Sequence, residues 1–386
     1  MENMLDSDYY RPTRWALKLM GQWPFQSPRR NKIFKCLTLF LITSISLPMI
    51  TKFAESLNDI DVVMECVPMA GSYGTSYLKY FTWAFNHDRM KGLLLSMERD
   101  WRDLKTERDI QLLKKFSERA RKMNNIYAMT IYGLLFLFLG APAIPILMDI
   151  CIPLNQSRPR IFLYQTEYWI DQNEYYYFIV LHAYLTVPVL FGPVIFFDNL
   201  FSIFISHTCG MCAILKSHLE SVHIEDSTGD GESACKRLQL CADMQTNILE
   251  YVQYLESTCT LLFLLLVGMS ILVITLTGMM IVIKGGEVSE IIRFASFNVG
   301  TIYHLFWSSW QGHTLIVESE SIFLSVYQSE WYTLSPKAQR MLLPIMMRSA
   351  NPCQITAGKC YVMSMESFGA AMRATMSFFT LLLSTR

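Results

Sequence analysis

Three charged residues near the end of the chain, Lys359, Glu366 and Arg373, stand seven apart. Seven residues is close to two helical turns, so on one helix they share a face. They interrupt an apolar stretch from Cys353 to Thr385. Ionisable groups on a spanning helix turn to the protein interior or to water rather than to lipid. The stretch therefore reads as a helix beside an aqueous path. A second group, His207, Cys209 and Cys212 with Cys235 and Cys241 further on, has the residue types of a zinc site. Its second pair is separated by five residues, wider than zinc pairs usually show, and reduced free thiols are the expected state in the cytosol. Ser76-x-x-Lys79 has the bare spacing of one hydrolase motif without its supporting signature. No Gly-rich phosphate loop, His-Glu-x-x-His or Gly-x-Ser-x-Gly occurs. Neither enzyme chemistry nor a cofactor or metal is expected.

The elements that would position these residues follow from the charges. Of 386 residues, 52% are hydrophobic and only 17% are charged, against roughly a quarter in an ordinary soluble domain. Lys plus Arg and Asp plus Glu both number 33, so no net charge draws the chain to nucleic acid. Runs without Asp, Glu, Lys or Arg occupy 36–51, 66–78, 123–148, 175–197, 257–283 and 294–317. A bilayer-spanning helix needs about 20 such residues. The run 66–78 is short, but it lengthens if Glu65 sits at one interface and the Lys79 stem snorkels to the other. With the stretch after Cys353 as the last span, the chain reads as one all-α membrane domain, residues 1–386. Its seven spans fall near 34–53, 62–86, 123–149, 175–207, 257–283, 291–316 and 355–385. The segments 87–122, 208–256 and 318–352 are charged enough to be solvated helical extensions of the spans.

Positive charge in short loops sets orientation. Segments on the side of the N-terminus carry 24 Lys and Arg, those on the other side 5. The N-terminus is therefore expected in the cytosol and the C-terminus outside, the reverse of a G-protein-coupled receptor. The single sequon, Asn155-Gln156-Ser157, then falls in an outer loop where glycan transfer can occur. Residues 1–35 are polar and do not read as a signal peptide. Cys66 and Cys151 lie toward the outer face and could form a disulfide.

Residues 331–383 resemble the C-terminal signature of insect odorant receptors. The matching elements are Trp331-Tyr332, Gln339-Arg340, Met346-Met347-Arg348, Pro352, Thr356-Ala357-Gly358-Lys359, Ser364-Met365-Glu366-Ser367-Phe368 and Ser377-Phe378-Phe379 before Leu381-Leu382. Gly21-Gln22-Trp23-Pro24 and Phe197-Asp198-Asn199-Leu200-Phe201 are also similar to that family. The resemblance implies a subunit of a tetrameric, odorant-gated, non-selective cation channel in the dendrite membrane of olfactory sensory neurons. It also implies a common co-receptor as partner, beside a volatile odorant and the lipid bilayer. The loop 208–254 is short, so the chain resembles the odorant-tuned subunit rather than the co-receptor.

The same resemblance implies a hydrophobic constriction in the last helix at Leu381 and Thr385, beside Ser384, and an odorant pocket among spans two, three, four and six. Aromatic pairs at helical spacing on those spans are the candidate walls: Tyr73 and Tyr77, Tyr132 and Phe136, Phe178 and His182, and Phe294 and Phe297. An aromatic stripe in a membrane helix also serves packing, and a spanning histidine also serves hydrogen bonds between helices. A gustatory receptor of the same superfamily is the nearest alternative, but its usual Thr-Tyr-x-x-x-x-x-Gln-Phe ending is missing. A transporter would show internal repeats or paired broken helices, and the sequence shows neither. A membrane enzyme would need clustered His, Asp or Glu at matching depth, which the sequence does not display.

Overall fold

The computed structural model describes residues 7–151, 162–226, 231–286 and 288–384. A short helix, α1 (Arg11–Leu19), precedes α2 (Pro28–Glu55), α3 (Ile60–Phe85), α4 (His87–Asp103) and α5 (Glu107–Gly140). Then come α6 (Ala143–Cys151), the long helices α7 (Tyr176–Asp226), α8 (Gly231–Ile283) and α9 (Val288–Gln328), and α10 (Pro336–Ser349). A two-stranded hairpin, β1 (Thr356–Ala357) and β2 (Tyr361–Val362), leads into α11 (Met365–Ser384). Four of these helices, α2, α5, α7 and α8, are long and apolar enough to cross a bilayer by length and composition alone. Apolar side chains such as Phe40, Phe85, Met129 and Leu261 stand on the outside of the bundle. That surface suits lipid rather than water. The molecule is a helical membrane protein.

The continuous run expected as the third span is two helices. Pro142 lacks an N–H to continue the helical ladder; α5 stops at Gly140 and α6 begins at Ala143. The final helix starts at Met365, not near 355. Gly358 and Lys359 both have left-handed backbone (φ +60° and +61°), which turns the chain into a hairpin ahead of the helix. Lys359 therefore does not share a helical face with Glu366 and Arg373. It pairs instead with Glu256 at 3.0 Å, and Thr356 Oγ1 donates to the same carboxylate. The Gly358 N–H completes the docking on α8 by donating to Thr260 O at 2.9 Å.

The charged extensions form a second core away from the spans. Leu215 and Leu219 of α7, Leu238 of α8, Ile322 of α9 and Leu342 of α10 pack together there. Gln245 Nε2 donates to Ser349 Oγ (2.8 Å), and His218 meets Asp109 (2.9 Å). His207, a zinc candidate by residue type, turns to Asp100 at 2.8 Å. Burial in this core raises the Cys212 thiol well above its ordinary range and pushes Cys241 up to about 11, and Cys209, buried in the neighbouring core, is raised as well. Cys66 is buried and Cys151 exposed, both as free thiols.

Candidate functional site

Within the bundle α3, α5, α7, α8 and α9 enclose a cavity of about 80 Å³. Phe138 and Leu135 of α5, Phe191 of α7, Val273 and Met269 of α8, and Phe297 of α9 make an apolar wall. Ser72 and Thr75 of α3, Ser270 of α8, and Ser296, Thr301 and His304 of α9 supply the polar groups. Ser296 donates to Arg293 O and Thr301 to Phe297 O, within their own helix, so these two hydroxyl oxygens are left as acceptors. Apolar walls with a few convergent polar groups are the pattern of a small-molecule site.

One helical turn beyond the cavity, four helices each contribute one polar side chain to a sealed cluster. On α3, Lys79 follows Thr75 by one turn; on α7, Asp198 follows Val194; on α5, which runs the other way, Tyr127 lies one turn from Ile131. On α9, His304 belongs to both cavity and cluster. Lys79 Nζ donates to Asp198 Oδ1 at 2.6 Å and lies 2.7 Å from His304 Nε2. Tyr127 Oη donates to Asp198 Oδ2 at 2.6 Å. The Tyr127 ring stacks on Trp307 with centroids 4.8 Å apart, and the Lys79 ammonium stands 5.2 Å from the Phe197 ring. The Lys79 side chain is 0% exposed. It does not snorkel to an interface, because a carboxylate one helix away offers it a closer partner than the headgroups do. His, Asp and Lys thus do cluster at matching depth, contrary to the sequence reading. The reason is that they come from helices far apart in sequence.

Of the eight aromatic and histidine candidates only Phe297 lines the cavity. Phe136 (75% exposed) and Phe178 (71%) point outward. Tyr73 is buried and donates to Tyr164 Oη (3.2 Å), and Tyr77 Oη meets Ser46 Oγ (3.0 Å). His182 bridges Ser44 Oγ (3.1 Å) and Tyr168 Oη (3.0 Å), holding α2 and the segment before α7 together. Tyr132 packs beside Ile131 and Leu135, and Phe294 packs on Met64, Met279 and Met280. Spacing of three or four put each pair on a stripe, but a stripe does not say which way it faces. The cavity residues missed by the sequence reading are mostly small or aliphatic, and α8 was not among the helices expected. Only Lys79 and His304, ionisable groups inside apolar runs, were visible signals.

On the last helix Leu381 and Ser384 are exposed, with Met376 and Phe378 beside Leu381 on the outside. Thr385 and Asn155 lie outside the described residues.

Fold and cavity together define a helical membrane protein with a small, mostly apolar cavity inside its bundle. The family model described as "7tm Odorant receptor" matches residues 59–376, and the chain belongs to that family. Its members are receptors, not enzymes. Among curated relatives, Odorant receptor 46a, isoform B, of Drosophila melanogaster is 22% identical over 98% of this chain and 99% of its own length. Odorant receptor 10 of Aedes albopictus is 28% identical, and there the match spans 47% of this chain and 49% of the relative. Among solved structures, the olfactory receptor OR5 of Machilis hrabei in complex with eugenol superposes with a TM-score of 0.81. That match covers 98% of this chain and 100% of the other at 13% identity, which establishes the shared fold.

Proposed function

We propose that this chain is the odorant-tuned subunit of an odorant-gated, non-selective cation channel, with the cavity at Phe297 and His304 as the odorant site. The observation that carries this reading is an apolar cavity with convergent polar groups, walled by five helices, in a member of the odorant receptor family. The relative of the same fold holds eugenol, a small aromatic compound. Ligand in the cavity would shift the helices that enclose it, and α9 and α8 both pack against α11, where Phe379 touches Gly278.

In this reading the N-terminus is cytosolic and four protomers, this chain among co-receptor copies, place their α11 helices around a pore with Leu381, Ser384 and Thr385 at its constriction. A ring of apolar side chains closes a pore by dewetting. The exposed Leu381 (58%) of a single chain would be covered by its neighbours in the ring. The second core, built from α7 to α10, would join the subunits, and Asn155 would carry a glycan on the outer side. The membrane is that of the olfactory dendrite.

The test is expression with and without a co-receptor while currents are recorded over a panel of volatiles. Gly300→Leu serves as the blocked control: a Cβ at Gly300 meets Leu134 at an ordinary 3.7 Å, so a side chain can start there at the cavity wall, and surface expression of the variant is measured alongside. Odorant-evoked current that is lost in Gly300→Leu supports the reading, and current unaffected by the plug sinks it.

A further inference from the structure

The cavity's polar end has a fixed chemical preference. A lysine ammonium has three donors and no acceptor. Lys79 Nζ uses them on Asp198 Oδ1 (2.6 Å), Val194 O (3.4 Å) and His304 Nε2 (2.7 Å). His304 Nε2 must then be the acceptor, so the ring proton sits on Nδ1. The longer approach of Nε2 to Asp198 Oδ2 (3.3 Å) is to an oxygen that already accepts from Tyr127. The hydrogen bond and ion pair of the His304 ring both fall on Nε2, which leaves Nδ1 without a partner among the described residues, and His304 lines the cavity. The ion pair behind it is balanced, one cation against one anion with a neutral ring.

We propose that the cavity selects neutral odorants that carry a hydrogen-bond acceptor, a ketone, aldehyde or ester, docked on the Nδ1–H of His304 with the apolar body against Phe138, Phe191 and Phe297. Lys79 is the positioning residue: it fixes the tautomer without touching the ligand. A carboxylate or ammonium odorant would enter a cavity whose lining offers no charged side chain to pair with it, and burial of an unpaired charge is strongly disfavoured. A hydrocarbon would leave the Nδ1–H unmatched, whereas a carbonyl replaces the water it gives up. This inference rests on the cavity being the odorant site.

The experiment compares 2-heptanone with n-octane, which has the same number of heavy atoms, on the receptor expressed with a co-receptor. A net hydrogen bond corresponds to roughly a threefold to tenfold preference in half-maximal concentration for the ketone. His304→Phe should collapse that ratio toward one, and His304→Gln, which keeps a donor, should restore part of it. A ratio unchanged in His304→Phe overturns the proposal. The underlying site assignment fails separately: Gly300→Leu then leaves both responses at their original level. Should His304→Phe not reach the surface, nitrogen-15 spectra of the purified wild-type receptor in lipid nanodiscs decide. The expected signature is an Nδ1–H tautomer of His304 whose Nδ1 resonance moves on addition of 2-heptanone, and an Nε2–H tautomer overturns the proposal.

Discussion

Lys79 Nζ and Asp198 Oδ1 lie 2.6 Å apart, and both side chains are sealed inside the bundle between α3 and α7. A buried ion pair stabilises little relative to an apolar replacement, because desolvation offsets most of the attraction. Removing one partner is another matter, since the other charge is left stranded. Lys79→Met should therefore lower stability by about 3–5 kcal/mol, read as a fall in the unfolding temperature of detergent-purified protein and in the surface fraction in cells. Lys79→Met with Asp198→Asn should recover a large part. Equal damage from the single and double variants would mean that the pair is not the reason for the loss.

Close approach of helices without Cβ atoms gives a graded prediction. A Cβ at Gly312 would lie 2.2 Å from the backbone oxygen of Met363, whose own N–H is held by Ile355 O at 2.9 Å. A Cβ at Gly71 would lie 2.5 Å from one methyl of Val273, on the cavity wall. Backbone cannot step aside as a side chain can. Gly312→Ala should abolish folded receptor, and Gly71→Ala should cost about 1–3 kcal/mol. Size-exclusion profiles of fluorescently tagged variants in detergent would rank them, and a monodisperse Gly312→Ala at wild-type yield contradicts the assignment.

The hairpin before α11 separates a charge effect from a backbone effect. Lys359 is two-thirds exposed, so its pair with Glu256 is screened and Lys359→Ala should change stability by less than about 1 kcal/mol. Gly358 combines a left-handed φ of +60° with Leu264 Cδ2 at 2.6 Å from a would-be Cβ. Gly358→Ala should cost about 1–3 kcal/mol, since left-handed strain alone is worth about 1–2. Thermal unfolding of the two variants side by side checks the order, and a larger loss for Lys359→Ala would reverse it.

His87, at the start of α4, titrates below the usual histidine value of 6.5 because burial penalises the imidazolium and Lys35 repels it, with Asp88 opposing. The unfolded chain therefore binds the proton more readily than the folded one. The stability contribution is full above about pH 6.5 and is lost as pH falls through that value toward the folded pKa. His87→Asn should flatten this part of the acid dependence of the unfolding temperature between pH 7.5 and 5.5. An identical slope in the variant would remove His87 from the account.

Two of the three exposed thiols, compared in a Cys36→Ser background, report orientation. Cys151 ends α6 and Cys360 sits in the hairpin turn, whereas Cys209, Cys212 and Cys241 are buried with raised thiol pKa. Membrane-impermeant maleimide on intact cells should label Cys151, and Cys360 only after permeabilisation, while the three buried thiols stay unlabelled until the protein unfolds. Labelling of Cys360 from outside would invert the proposed orientation.

The one-dimensional pattern of charge carried the membrane assignment by itself. Burial of long uncharged runs in lipid is a property of composition and length, and the bias of Lys and Arg toward the N-terminal side needs no fold to be counted. The family resemblance was likewise legible in the ordered motifs from Trp331 to Leu382. The tertiary structure decided which way each helix faces. Tyr132 and Phe136 share a stripe, yet one packs inward and the other meets lipid, because facing is set by neighbours from distant parts of the chain. Lys79 and Asp198 are 119 residues apart, and nothing short of helix packing could turn a lysine that should reach for the interface into the sealed partner of a carboxylate. Lys359 kept its place in a seven-residue rhythm but left the helix, because two consecutive left-handed residues break a periodicity that spacing alone assumes to continue.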